Sequence, residues 1–257
     1  MKVVILAGGL GSRLSEETNL IPKPLVSIGE VPILMHIMNI YSYYGYNEFI
    51  ICLGYKGNKI KEYFLNYMKM QSDITVDLKN NEVTSINRKN LNWKITLIDT
   101  GKDTMTGARI AKVVQQLDEP FHCTYGDGVG DINIEELVNF HKNSKTKATV
   151  TAVRPPARFG ALKINDSSDF PYVENFSEKP LGDSMWINGG FFIFDPSIFK
   201  KSIPDDTVLE TDILPSLVKD KELSVYKHAS FWHPMDTIRD KNILQELWES
   251  GKAPWKG

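Results

Sequence analysis

The chain opens on Val3-Val4-Ile5-Leu6-Ala7, an apolar strand, which runs straight into Gly8-Gly9-Leu10-Gly11-Ser12-Arg13-Leu14. Pro22-Lys23-Pro24 follows shortly after. Glycines at a strand end let backbone N–H groups approach a phosphate with no Cβ in the way. Ser12 adds a hydroxyl donor, and Arg13 and Lys23 place cations on opposite sides of the same turn. The stretch predicts a phosphate cradle with its own charge clamp, and so a nucleotide site at the end of the first strand.

Two better-known glycine loops do not fit it. A Walker loop needs Gly, four residues, then Gly-Lys-Ser/Thr; counting from Gly8, Arg13 stands where the second glycine belongs. A dinucleotide fingerprint needs a third glycine and an acid ending the second strand. Here Leu14 takes the place of that glycine, and Phe49–Leu53 ends in Gly54-Tyr55-Lys56. An ordinary strand-to-helix turn is the plain alternative, but two cations and two prolines are more than a turn requires.

Outward from this stretch, strands and helices alternate. The pattern predicts strands at 3–7, 49–53, 95–99, 121–125 and 148–153, with helices at 32–44, 58–70, 108–117 and 134–142 between them. Such alternation means an α/β fold with a doubly wound, mostly parallel, Rossmann-like sheet. Ligands of such sheets lie beyond the carboxyl ends of the strands. The glycine turn, Asp99-Thr100-Gly101 and Gly126-Asp127 all fall there. Residues 71–92 are polar and break the rhythm, as an inserted hairpin would. From Pro155 the second half becomes β-rich, with strands at 160–164, 172–177 and 187–194, then helices at 211–219 and 238–249.

Composition narrows the function. The chain has 257 residues, 42% hydrophobic and 24% charged, ordinary for a globular protein. A net charge of −2 supplies no basic field for nucleic acid. No apolar run reaches membrane-spanning length. The first residues lack the basic and apolar regions of a signal peptide, so a cytoplasmic protein is expected. Cys52 and Cys123 fall in core strands and read as buried free thiols in a reducing compartment. The five histidines show no ligand spacing.

Several constellations carry chemistry. Asp127, flanked by Gly126 and Gly128, suits a Mg²⁺ completed by phosphate oxygens and water, with a turn or cap aspartate as the alternative. Asp236 is either a second metal ligand or the cap of the helix behind it. Lys179 in Glu178-Lys179-Pro180 is either aimed at a ligand from an extended strand end or part of a surface turn. Asn188-Gly189-Gly190 allows close approach of a hydroxylated ligand, or marks a bulge. Thr104 to Arg109 could read a base edge, or could cap a helix that bears a surface arginine.

Taken together these segments resemble the sugar-1-phosphate nucleotidyltransferase family. The likeness lies in Leu6-Ala7-Gly8-Gly9-x-Gly11-Ser12-Arg13-Leu14 with Pro22-Lys23-Pro24. It continues through Gly54-Tyr55-Lys56-Gly57, Thr106-Gly107-Ala108-Arg109, Thr124-Tyr125-Gly126-Asp127-Gly128 and Arg158-Phe159-Gly160-Ala161-Leu162. It extends to Asn188-Gly189-Gly190-Phe191-Phe192, Phe231-Trp232-x-Pro234-Met235-Asp236-Thr237 and the ending Gly251-Lys252-Ala253-Pro254-Trp255-Lys256. It covers essentially the whole chain, and the later motifs resemble the family's cytidylyltransferase branch.

The resemblance implies one nucleotide-diphospho-sugar transferase domain over 1–257, with a nucleotide half at 1–154 and a sugar-phosphate half at 155–257. It implies CTP and glucose 1-phosphate as substrates, Mg²⁺ as cofactor, and a homo-oligomer with a hexamer among the options. Leu6, Ala7, Gly8, Gly9, Leu10, Gly11, Ser12 and Arg13 would hold the CTP phosphates, and Lys23 the reacting ones. Thr104 and Arg109 would meet the cytidine end, and Gly126 would line the site. Asp127 and Asp236 would bind the metal, and Glu178, Lys179, Asn188 and Gly189 the sugar phosphate. Arg13, Lys23, Lys179 and Asp127 would carry the chemistry. Ile21 stands where many relatives carry a lysine, one cation fewer beside the loop. A sister enzyme using UTP, dTTP or another sugar is the nearest alternative. A glycosyltransferase would be expected to show an Asp-x-Asp pair, and Asp127 is followed by Gly128-Val129. A non-catalytic nucleotide-binding regulator would be expected to have lost Lys23, Lys179 or Asp127, and all three are present.

Overall fold

The computed structural model describes residues 1–9, 11, 14–86, 91–155, 161–165, 172–177, 186–200 and 202–256. Seven strands form the central sheet. They are β1 (Val3–Ala7), β2 (Glu48–Leu53), β3 (Lys94–Asp99), β4 (Phe121–Tyr125), β5 (Ala148–Val153), β6 (Ile187–Phe194) and β7 (Leu223–His228). Their order across the sheet is β7-β5-β6-β4-β1-β2-β3. β1 lies parallel to both β2 and β4, with Leu6 opposite Cys52 and Tyr125. β6 runs antiparallel between β4 and β5. Its first residues therefore lie at the edge where β1, β2 and β4 end.

Both faces of the sheet are covered, which is why β1 reads as a continuous apolar run. Val3, Ile5 and Ala7 pack on one side with the helix Ile33–Tyr43 (α1) and the tail residue Trp255. Val4 and Leu6 pack on the other with Ile110 and Val113 of the helix Thr106–Val113 (α2), together with Phe199 and Leu209. Cys52 and Cys123 are buried free thiols in that second layer. Burial holds the Cys52 thiol up at about 12, against a weaker opposing pull from Arg109, so it stays protonated and unreactive.

Most helix and strand positions follow the sequence pattern, but the short pairs Ser27–Ile28 with Val31–Pro32 and Gly128–Gly130 with Trp232–Pro234 were not anticipated, and three larger elements differ. The helix expected over 108–117 begins at Thr106 and tightens into a 3-10 turn at Val114–Gln116. The one expected over 211–219 is a π-helical turn at Leu209–Ile213 followed by a short α-helix, Leu214–Lys219. β7 was not anticipated. It is an edge strand whose side chains are half exposed, so its apolar pattern is weak. The hairpin expected in 71–92 is present as Asp73–Asp77 paired with Glu82–Ile86. No helix among the described residues is long and apolar enough to cross a membrane.

Candidate active site

A cleft of about 490 Å³ opens over the carboxyl edge of the sheet. The turn after β1 supplies Leu6, Ala7, Gly8, Gly9 and Gly11 to it. The strand end after β4 supplies Tyr125, Gly126 and Asp127, and the start of α2 supplies Thr104, Thr106 and Arg109. Lys23 and Asp236 close the wall. The structure thus gathers into one cleft eleven residues expected there from sequence: Leu6, Ala7, Gly8, Gly9, Gly11, Lys23, Thr104, Arg109, Gly126, Asp127 and Asp236. Leu10, Ser12, Arg13, Glu178 and Lys179 lie outside the described residues.

The centre of the cleft is an ionic cluster. Lys23 Nζ donates to Asp127 Oδ2 at 2.7 Å and to Asp236 Oδ1 at 2.8 Å. The lysine is 9% exposed, carried on a 3-10 turn held between Pro22 and Pro24. Burial by itself would lower its pKa. The two carboxylates outweigh that, and the net shift is upward, so the ammonium stays charged.

The loops bearing the two acids are tied through the main chain, Met235 N–H donating to the Asp127 carbonyl at 2.8 Å. Asp236 is not the helix cap. Thr237 fills that role for the helix Ile238–Glu249 (α3), in a reciprocal capping box with Asp240. Asp236 lines the cleft.

Arg109 is 5% exposed, so the surface-arginine alternative does not hold. Its guanidinium lies between the ends of three strands. Nη1 donates to the carbonyls of Leu53 and Gly101 and to the Thr100 hydroxyl at 2.7–2.9 Å. Nη2 donates to the Gly8 and Lys102 carbonyls at 3.2 Å. A Cβ on Gly8 would sit 2.3 Å from the guanidinium carbon, so glycine is required there by the arginine as well as by any phosphate. Burial lowers the Arg109 pKa, with weaker opposing help from nearby acids. Thr104 is buried, and its hydroxyl accepts from Lys112 Nζ at 2.9 Å.

Asn188 and Gly189 begin β6 beside the cleft. The register with β5 shifts here, so the bulge is present. Asn188 Nδ2 donates to the Tyr125 hydroxyl at 3.2 Å, which ties this strand start to the cleft wall.

Sequence reasoning missed Glu210, whose carboxylate accepts from both Tyr125 and Thr106. Its local sequence, Leu209-Glu210-Thr211-Asp212, reads only as the acidic first turn of a helix.

Two carboxylates that converge on an ammonium mark a point where positive charge is already favoured. Their hard oxygen donors suit a divalent cation that draws its remaining ligands from phosphate and water. Among the described residues no group of three or more His, Cys, Asp or Glu converges.

The family model for nucleotidyl transferases matches residues 2–245. The chain belongs to that family. The glucose-1-phosphate cytidylyltransferase of Salmonella typhimurium is 50% identical over 258 residues, spanning 100% of this chain and 99% of its own. Among solved structures, HddC from Yersinia pseudotuberculosis aligns at a TM-score of 0.69 and 23% identity, covering 96% of this chain and 99% of that one. The inositol-1-phosphate CTP transferase of T. maritima aligns at 0.64 and 14%, covering 100% and 96%. These two share the nucleotidyltransferase's fold. Members of the family generally use a divalent metal ion.

Proposed function

We infer that this nucleotidyltransferase transfers CMP from CTP to glucose 1-phosphate, giving CDP-glucose and pyrophosphate. The observation that carries the reading is the 50% identity, over the whole chain, to the Salmonella typhimurium enzyme. The cleft is consistent with it, since a glycine turn, a buried lysine and paired acids meet at one sheet edge.

In the reaction a phosphate oxygen of glucose 1-phosphate attacks the α-phosphorus of CTP in line, and pyrophosphate leaves. The nucleophile is already an anion, so no protein base is required. The obstacle is repulsion between two anions, and the protein's part is to position them and offset their charge. Lys23 serves at the reacting phosphates, with Arg13 and Lys179 as the further cations. Leu6 to Gly11 and Ser12 offer N–H and hydroxyl donors to the triphosphate. Thr104 and Arg109 stand at the base end. In this reading Arg109 acts chiefly by holding the Gly8 turn and the β2 and β3 ends in register, since its donors are directed at backbone carbonyls. Asp127 and Asp236 would hold Mg²⁺, which would supply charge neutralisation at the phosphates. Glu178, Lys179, Asn188 and Gly189 form the sugar-phosphate end. We also propose that the enzyme is a homo-oligomer.

The test is pyrophosphate release from purified protein with Mg²⁺ and glucose 1-phosphate, run separately with CTP, UTP, dTTP, ATP and GTP. Release with CTP alone is expected. Release with a different nucleotide alone overturns the cytidylyl assignment while leaving the phosphate chemistry intact.

A further inference from the structure

A chain of hydrogen bonds runs from the nucleotide wall to the sugar end, and its polarity is fixed at both ends. Gly190 N–H can only donate, and it donates to Asn188 Oδ1 at 2.8 Å. The amide atom facing Tyr125 is therefore Nδ2, and the tyrosine oxygen accepts from it at 3.2 Å. The single proton of Tyr125 is then directed at Glu210 Oε1. On the other side Leu209 N–H donates to the Thr106 hydroxyl at 2.9 Å, so the hydroxyl's own proton goes to Glu210 Oε2 at 2.7 Å. Glu210 accepts on both oxygens, and no link in the chain can be reversed without breaking another.

The surroundings hold this arrangement in place. Glu210 sits on the π-helical turn Leu209–Ile213, a rare widening found often at functional sites. Gly190 has φ +78°, and a Cβ there would lie 2.5 Å from the Tyr125 ring. Only glycine lets the ring cover the strand start, and that ring also packs edge-on with Phe192 at 5.8 Å. With Oδ1 engaged by Gly190 and one N–H by Tyr125, the Asn188 amide keeps one N–H that no described residue takes.

We propose that Glu210 is a positioning residue for the sugar phosphate. Acting through Tyr125, it fixes the Asn188 amide so that its remaining N–H donates to a sugar oxygen. The site then selects a sugar that presents an acceptor at that point. This rests on the reading of Asn188 as part of the sugar end.

The experiment is a set of steady-state measurements on Asn188→Ala, Tyr125→Phe, Glu210→Ala and the Tyr125→Phe/Glu210→Ala double variant, with KM for glucose 1-phosphate and for CTP determined separately. Tyr125→Phe keeps the ring and its packing, so it isolates the hydroxyl. Asn188→Ala and Tyr125→Phe should each raise KM for glucose 1-phosphate about tenfold, with KM for CTP within twofold. Glu210→Ala should raise it about fivefold alone and less than twofold on the Tyr125→Phe background, because both changes break one chain. Melting temperatures identify any variant that has lost its fold. If Glu210→Ala is such a variant, Glu210→Gln replaces it, with the same non-additivity expected. An Asn188→Ala enzyme with unchanged KM for glucose 1-phosphate overturns the sugar-end reading and this inference with it. A raised KM in Asn188→Ala alone, multiplicative effects in the double variant, or KM for CTP rising in step overturns the chain while leaving the sugar end standing.

Discussion

Lys23 is the residue on which the site turns. Its ammonium neutralises two carboxylates that would otherwise repel each other and keep anionic substrate away. Removing one partner of a buried ionic cluster leaves uncompensated charge. Lys23→Ala is therefore expected to lower kcat on the order of 10²-fold or more, the scale seen when one preorganised donor to developing charge is lost. It should also shift half-maximal activity to lower metal concentration, since the ammonium no longer competes with the metal for Asp127 and Asp236. A rate series over a Mg²⁺ titration measures both, and near-normal kcat in the variant would sink the clamp. The pH consequence has a definite sign. Because the folded pKa of Lys23 is raised above the ordinary 10.5, its stabilising contribution is complete below that value and is lost only as pH climbs through the higher folded one. Loss of activity in the neutral to mildly alkaline range is not to be ascribed to this lysine.

At the scale of elements, α3 carries Asp236 to its place. Thr237 accepts from the Asp240 N–H at 3.2 Å, and Asp240 accepts in return from Thr237 N–H and hydroxyl at 2.9 and 2.8 Å. Thr237→Ala removes half of this box and is expected to cost about 1 kcal/mol. It should also weaken metal dependence of the rate by loosening Asp236. Chemical denaturation and a metal titration on the same variant test it, and a destabilised enzyme with unchanged metal response would confine the box to a structural role. β4 yields a second prediction. His122 is fully buried, neither ring nitrogen has a hydrogen-bond partner among the described residues, and Tyr41 and Tyr46 enclose it. Burial first, with weaker repulsion from the N-terminal charge and His141, lowers its pKa to about 3. Its folded pKa is thus depressed below 6.5, and the unfolded chain takes up the proton first as pH falls. Stability should decline by about 1 kcal/mol per pH unit between 6.5 and 3. Urea unfolding at pH 5 and 7 should show this in the parent, and a smaller difference in His122→Leu.

These elements also mark how far the sequence could be read. The β1 run, the turn at Gly8 and the helix of α3 were legible because each is dictated by local chemistry. The convergence of Asp127 and Asp236 on Lys23 was not, since it depends on Met235 pairing with Asp127 across the fold. Arg109 read equally as a base-edge contact or as a surface residue after a cap, because nothing local shows that three strand ends will close around it. Glu210 gave no sign for the same reason, its partners Thr106 and Tyr125 lying on other elements. β7 escaped notice because half of an edge strand faces water.

At the scale of the whole molecule, the hairpin of Asp73–Asp77 and Glu82–Ile86 is what a lone chain leaves unresolved. Its register sets Val76 opposite Val83, with Ile74 on the same face. These three side chains are about half exposed, at 49–51%. Two-stranded hairpins are marginal in water without further packing, and a contiguous exposed apolar face marks an interaction surface. Leu65, Met70 and Leu78, all more than three-quarters exposed, add to the apolar surface of this region. A second copy of the chain is the partner that the proposed homo-oligomer supplies. Charging the face should then dissociate the assembly without unfolding the subunit, whose core lies elsewhere, around β1 and β4. Val76→Lys combined with Val83→Lys is expected to reduce the mass measured by light scattering after gel filtration to that of a single 29.2 kDa chain, with the melting transition still cooperative. An unchanged mass would place the subunit contacts on another surface, and a parent protein that is already monomeric would remove the oligomer altogether.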